Sequence, residues 1–185
     1  MPSDSFLNKI DTSKVDSIMK ETSINVQYFN TTCASIISKY SESLDNLMKD
    51  LYIDCVKNDN PTMDTLEKYY LELSNLIYFM NEQLEQLGIQ ADMAEKANEE
   101  VYAKGYIRAS EIRDENGKKK PVDEIKALAN TESQYESVVA SIYDHAYKVV
   151  KGKIASGQSM MDTLRRIIST RTEMMKVDNY HGGNV

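Results

Sequence analysis

The stretch from Pro121 to Lys176 reads as one helical run, and it most constrains what this chain can become. Ile125, Leu128, Tyr135, Val139, Ile142, Ala146 and Val149 follow at gaps of three, seven, four, three, four and three, interrupted only at Glu132. That heptad spacing lays one apolar stripe along a helix, whereas a strand would alternate every second residue. Lys120-Pro121-Val122-Asp123-Glu124 starts the run, because proline suits a first helical turn and two acids suit the positive helix end. Seven glycines and three prolines in 185 residues are too few to punctuate an all-β fold. The expected class is all-α: an elongated bundle of long amphipathic helices with a long C-terminal helix. That helix is either intact or broken near Gly152 to Gly157. Within Ser156-Gly157-Gln158-Ser159, Ser159 can cap a new helix with Asp162 at the capping-box position.

The earlier segments carry the same period. From Ser23 to about Lys57, Val26, Phe29, Cys33, Ile36, Tyr40, Leu44, Leu47 and Leu51 recur every three or four residues, and Asn58-Asp59-Asn60-Pro61 ends that helix in a turn. A calcium loop is excluded there, since the glycine and spaced carboxylates are missing. Thr62 to Leu87 has the cleanest pattern: Met63, Leu66, Tyr70, Leu73, Ile77, Met80, Leu84 and Leu87, thickened by Tyr69, Leu76 and Phe79. Gly88 is the expected stop. A looser, alanine-rich helix is expected over Ile89 to Arg113, then a turn at Asp114-Glu115-Asn116-Gly117 and a basic loop, Lys118-Lys119-Lys120. Tyr69, Tyr70, Tyr78 and Phe79 are expected in the core rather than as a base-stacking platform. Residues 1–22, with Phe6, Leu7, Ile10, Val15, Ile18 and Met19, form an expected N-terminal arm whose short helix Thr12 or Ser13 can cap. Residues 23–176 form the helical domain, and 177–185 a tail without pattern, expected to be mobile.

With 41% hydrophobic and 28% charged residues, the chain suits one folded domain with its own core. Cys33 and Cys55 sit 22 residues apart on one expected helix, too far for a disulfide, and no Cys/His cluster suggests zinc. No signal-peptide or membrane-spanning pattern is seen, so the expectation is a protein of a reducing cytoplasm. Catalysis has no footing. His145 follows Asp144, but adjacent helical residues point about 100° apart and do not make a base and its orienter. There is no P-loop, GxGxxG, GxSxG or HExxH. A non-enzymatic protein without cofactor or metal is expected.

Charge is unevenly spread. Residues 1 to 103 hold 8 Lys/Arg against 18 Asp/Glu, and residues 104 to 176 hold 14 against 10, within a net charge of −7. At about 100° per residue, Lys126, Lys148, Lys151, Arg165, Arg166 and Lys176 fall within an arc of roughly 100°, nearly opposite the apolar stripe. Such a row could follow a phosphate backbone. Asp144, Asp162 and Glu173 share the arc at ion-pair spacing, so the favoured reading is a solvated face laced with ion pairs. The basic loop can join the row only if it lies beside it. Lys153 and Arg171 project onto the apolar side. Each must pair with a carboxylate, face a polar surface made by assembly, or snorkel out, which is the expected outcome.

Glu124-Ile125-Lys126-Ala127-Leu128-Ala129, Tyr135, the Ile142 to Lys151 segment, Ser156-Gly157 and the Asp162 to Glu173 segment resemble the C-terminal helical part of UvsY-type recombination mediators of bacteriophages. The preceding Tyr69-Tyr70 helix, alanine-rich helix and basic loop occur in a similar order, so the resemblance spans roughly Tyr69 to Lys176. It implies a helical protein that assembles into homo-oligomeric rings, binds single-stranded DNA and helps a recombinase displace the single-strand-binding protein in the host cytoplasm. By position, Lys148, Lys151, Arg165, Arg166 and Arg171 would contact DNA. Two other readings stand beside it: a structural or adaptor helical protein whose stripes other subunits complete, and an acidic inhibitor of a host defence protein.

Overall fold

The computed structural model describes the backbone of residues 12–58, 60–113 and 117–182, with side-chain surroundings for those between 26 and 177. The order is α1 (Thr12–Leu51), a π-helical turn Tyr52–Lys57 continuing it, α2 (Met63–Glu111), α3 (Val122–Glu132) and α4 (Gln134–Gly182). No strand forms among the described residues; the one β-type feature is an isolated antiparallel bridge between Arg113 and Lys119. The fold is all-α and elongated. At about 1.5 Å per residue, the 49 residues of α2 and of α4 each extend roughly 73 Å.

Contacts fix the directions. Gly105 meets Ala129 and Glu132, Gly88 meets Tyr147, and Gly157 meets Ile77. Arg171 donates to the Pro61 carbonyl. Along these four points α3 and α4 run antiparallel to α2, one after the other. Leu44 also meets Gly157, and Cys33 lies against Ile142, so α1 runs parallel to α4. The main core fills the space among the three long helices with Leu44, Leu51, Leu66, Leu73, Ile77, Leu84, Leu87, Val150, Ile154 and Leu164. A smaller cluster of Cys33, Ile142 and Ala146 sits where α1 crosses the start of α4. Each fully buried leucine contributes about 1.5–3 kcal/mol relative to exposure, so the main core dominates.

Local signals explain the ends. Thr62 caps α2, its Oγ1 accepting the Thr65 N–H at 3.2 Å. Pro121 precedes α3, with Asp123 and Glu124 in the first turn, as expected. The run from Pro121 breaks at Ser133 and not at Gly152 to Gly157. Ser133 leaves helical geometry, at φ −92 and ψ 10, and Thr131 bonds back to the Ala127 carbonyl at 2.9 Å, which favours bending. The break shifts the helical phase, so Leu128 and Tyr135 are exposed although they belong to the heptad series.

The glycines act differently from expectation. Gly88 does not end a helix, and α2 runs through it to Glu111. A Cβ there would lie 3.2 Å from Tyr147 Cε2, so the glycine makes room for that ring. Gly157 is buried within α4, where a Cβ would come 3.3 Å from Ile77 Cδ1 and 3.4 Å from Leu44 Cδ1. The looseness expected after Leu87 is real: no α2 residue between Leu87 and Gly105 is buried. The boundaries expected at residues 22 and 177 coincide with no helix end, since α1 already begins at Thr12 and α4 continues to Gly182. Residues 1–11, with Phe6, Leu7 and Ile10, and residues 183–185 lie outside the described residues.

These contacts predict opposite outcomes at two glycines. Gly152→Ala, where a Cβ meets nothing within 4 Å, should stabilise by about 1 kcal/mol through helix propensity. Gly157→Leu should destabilise by about 1–3 kcal/mol by wedging three helices apart. Thermal unfolding followed by circular dichroism checks both.

Candidate nucleic-acid interface

The cations read from sequence divide into three groups. Lys153 and Arg171 face inward, as the 100° projection placed them, but neither snorkels. The Lys153 ammonium donates to Asp45 Oδ2 at 2.5 Å and Ser41 Oγ at 2.9 Å, linking α4 to α1, and Ser41 also donates to Asp45 at 3.1 Å. Arg171 donates to the Pro61 carbonyl and ties α4 to the start of α2. The chain thus finds partners for both cations from distant sequence, so each is engaged within the fold. Nothing in the sequence identified Asp45 as a partner 108 residues away.

The basic loop is elsewhere. Lys118, Lys119 and Lys120 lie between α2 and α3, at the end of the rod opposite Arg165 and Arg166. By the α2–α4 register the separation is roughly 65 Å. Lys120 pairs with Glu124, the Lys119 backbone bridges to Arg113, and Lys118 is likewise engaged within the chain. The loop and the α4 row are not one site.

The third group lies along the outer face of α4. Lys148 pairs with Asp144 at 2.7 Å, one turn away, with both side chains more than half exposed. Lys151 sits 5.7 Å from the centre of the Tyr147 ring. Arg165 and Arg166 border a shallow depression of about 340 Å³ with Asp162 and Ser169, and neither makes an ion pair among the described residues. The spacing that allowed Asp162 and Glu173 to pair with these arginines is not used. From Lys151 to Lys176 the row extends roughly 37 Å. Lys126, on α3, stands beyond the Ser133 break.

Two aromatic residues left the expected core. Tyr69 is buried and Tyr70 half-buried, but Tyr78 and Phe79 are exposed and stack edge to face, their ring centres 5.4 Å apart. They lie on α2, away from the cation row. The Tyr69 hydroxyl instead donates to Asp54 in the π-helical turn at 2.6 Å. That bond to the carboxylate, followed by burial and the nearby negative charges, pushes the Tyr69 ionisation well above its ordinary range. Cys33 and Cys55 are free, and burial pushes both thiols up. Among the described residues no group of His, Cys, Asp or Glu could hold a metal ion, and no helix is long and apolar enough to cross a membrane.

Two consequences can be measured. Lys153→Met should cost about 1 kcal/mol in urea unfolding, since the pair is partly solvated, and leave any affinity for nucleic acid unchanged. An unfolded tyrosine ionises near pH ~10, below the folded Tyr69. The stability this hydroxyl contributes is therefore complete below that pH and falls as pH rises above it. Tyr69→Phe should lose part of that alkaline dependence, seen by comparing unfolding midpoints on either side of pH ~10.

Comparison with known protein families, with curated proteins and with solved structures finds no match.

Proposed function

We propose that this chain binds single-stranded DNA along the outer face of α4 and acts as a non-enzymatic recombination mediator in the cytoplasm, helping a recombinase displace the single-strand-binding protein. The observation carrying this reading is the row of Lys151, Arg165, Arg166 and Lys176, exposed on one rigid helix and unpaired with any described carboxylate. Phosphates are recognised by cations whose charge is not already spent, and a straight helix keeps four of them on one line. Lys148 can join them, because an exposed pair one turn apart is worth only about 0.3–0.5 kcal/mol. The resemblance between Tyr69 and Lys176 supports the same reading, narrowed to these residues and without Lys153, Arg171 or the basic loop.

A second reading, a helical adaptor, is favoured by a different observation. The outer face of α2 exposes Leu71, Tyr78, Phe79, Ile89, Met93 and Ile107, more apolar surface than a solitary rod would place in water.

Reversing Lys151, Arg165 and Arg166 to Glu should weaken binding of a labelled single-stranded oligonucleotide in fluorescence anisotropy without loss of helicity. The log-log salt slope should fall by about 2, at about 0.7 per lost phosphate contact. Unchanged affinity would remove the strand-binding reading and leave the adaptor.

A further inference from the structure

We infer that the outer face of α2 docks a basic amphipathic helix of another protein, whose apolar stripe lies on the α2 row and whose cations meet the acidic edge beside it. The inference rests on the adaptor reading of this face and not on strand binding.

The row itself is uncovered. At about 100° per residue, Leu71, Tyr78, Ile89, Met93 and Ile107 fall within roughly 60° of one another, nearly opposite the core-facing Leu73, Met80, Leu84 and Leu87. Tyr78 is 74% exposed and Met93 66%, so nothing in the described chain covers the row.

The two edges of the row differ in charge. On one side Glu67, Glu85, Asp92 and Glu99 fall within roughly 40°, over about 48 Å of helix. None of the four makes an ion pair among the described residues. On the other side Lys68, Lys104 and Arg108 are answered by Glu72, Glu100 and Glu132. Past the acidic edge lies a trench of about 630 Å³, lined by Glu85, Asp92 and Glu95 from α2 and by Ser137, Ser141 and Asp144 from α4. Its one cation, Lys148, is already paired with Asp144. Ile89 belongs to both the row and the trench, so the apolar and acidic surfaces are continuous.

That asymmetry selects the occupant. Lysine and arginine carry their charge on long apolar stems, so a docked helix can lay its stripe on the row and extend its cations over the edge into the trench. Nucleic acid or an anionic lipid surface would bring phosphates against unpaired carboxylates. A second α2 face would set acid against acid. The cation row on α4 of a second copy is interleaved with Asp162, Ser169 and Glu173, so it offers the charge without an apolar stripe.

Two labelled helical peptides test this, each about three heptads long with leucine and alanine in the apolar stripe. One carries lysines along its edges, and its twin carries glutamates. In fluorescence anisotropy the full chain should bind the lysine peptide and not the twin. Ile89→Gln with Met93→Gln strips the row, and Glu85→Gln with Asp92→Asn and Glu99→Gln strips the edge. Each variant should weaken that binding by about tenfold at unchanged helicity. Reversing Lys151, Arg165 and Arg166 to Glu should not weaken it, which separates this contact from strand binding. Binding of the glutamate twin instead would overturn the basic partner and leave the adaptor reading. So would a wild type heavier than the 21.1 kDa monomer in sedimentation equilibrium that the Ile89 and Met93 variant returns to 21.1 kDa, because a second copy then covers the face. Lysine-peptide binding that either variant leaves unweakened overturns the inference as well, and binding of neither peptide removes the adaptor reading with it.

Discussion

The close approach of α4 to α1 and α2 at Gly157 sets the geometry of this molecule. Leu44 and Ile77 reach into the space a side chain would take, so three long helices pack around one layer. The same approach holds α4 in register with α2 from Tyr147 against Gly88 down to Arg171 at Pro61. A chain that is acidic early and basic late would be polarised end to end if its segments followed one another in space. Here antiparallel packing lays the basic helix alongside the acidic ones, and the polarity runs across the rod.

That arrangement decides which cations are available. Lys153 is drawn into the interface because Asp45 and Ser41 stand across from it, and removing a charge from water is tolerable only with such partners. Arg171 is spent on a backbone carbonyl at the α1–α2 turn, where Asp54 and Tyr69 also bond. Arg165 and Arg166, one to two turns before Arg171, point to solvent and keep their charge. A few residues of helical phase separate a structural cation from one free to meet a ligand.

The same packing leaves apolar surface without a partner. α2 is amphipathic towards its bundle yet still carries Leu71, Ile89, Met93 and Ile107 on the far side. The α4 helix outlasts the bundle that supports it. Neither feature stands out while one dominant stripe is being sought, because a second row on the same helix looks like a thickening of the first. Tyr78 and Phe79 show the difficulty: aromatic residues at helical spacing usually belong to the core, and here the rotation of α2 turns both outward.

By itself the sequence determined the helical class, the helix boundary at Pro61, the helix start at Pro121, the main stripe of α2 and the inward projection of Lys153 and Arg171; the turn expected at Asp114 to Asn116 lies outside the described residues. These depend on local period and capping, which neighbouring residues settle among themselves. Only the tertiary structure decided that Gly88 and Gly157 lie inside helices, that the bend falls at Ser133, and that Asp45 pairs with Lys153 while the Pro61 carbonyl accepts from Arg171. Whether a glycine ends a helix or admits a neighbour depends on what packs against it, and a cation's partner depends on the register of helices about a hundred residues apart. Such register comes from burying the whole set of stripes together, which no single window of the chain contains.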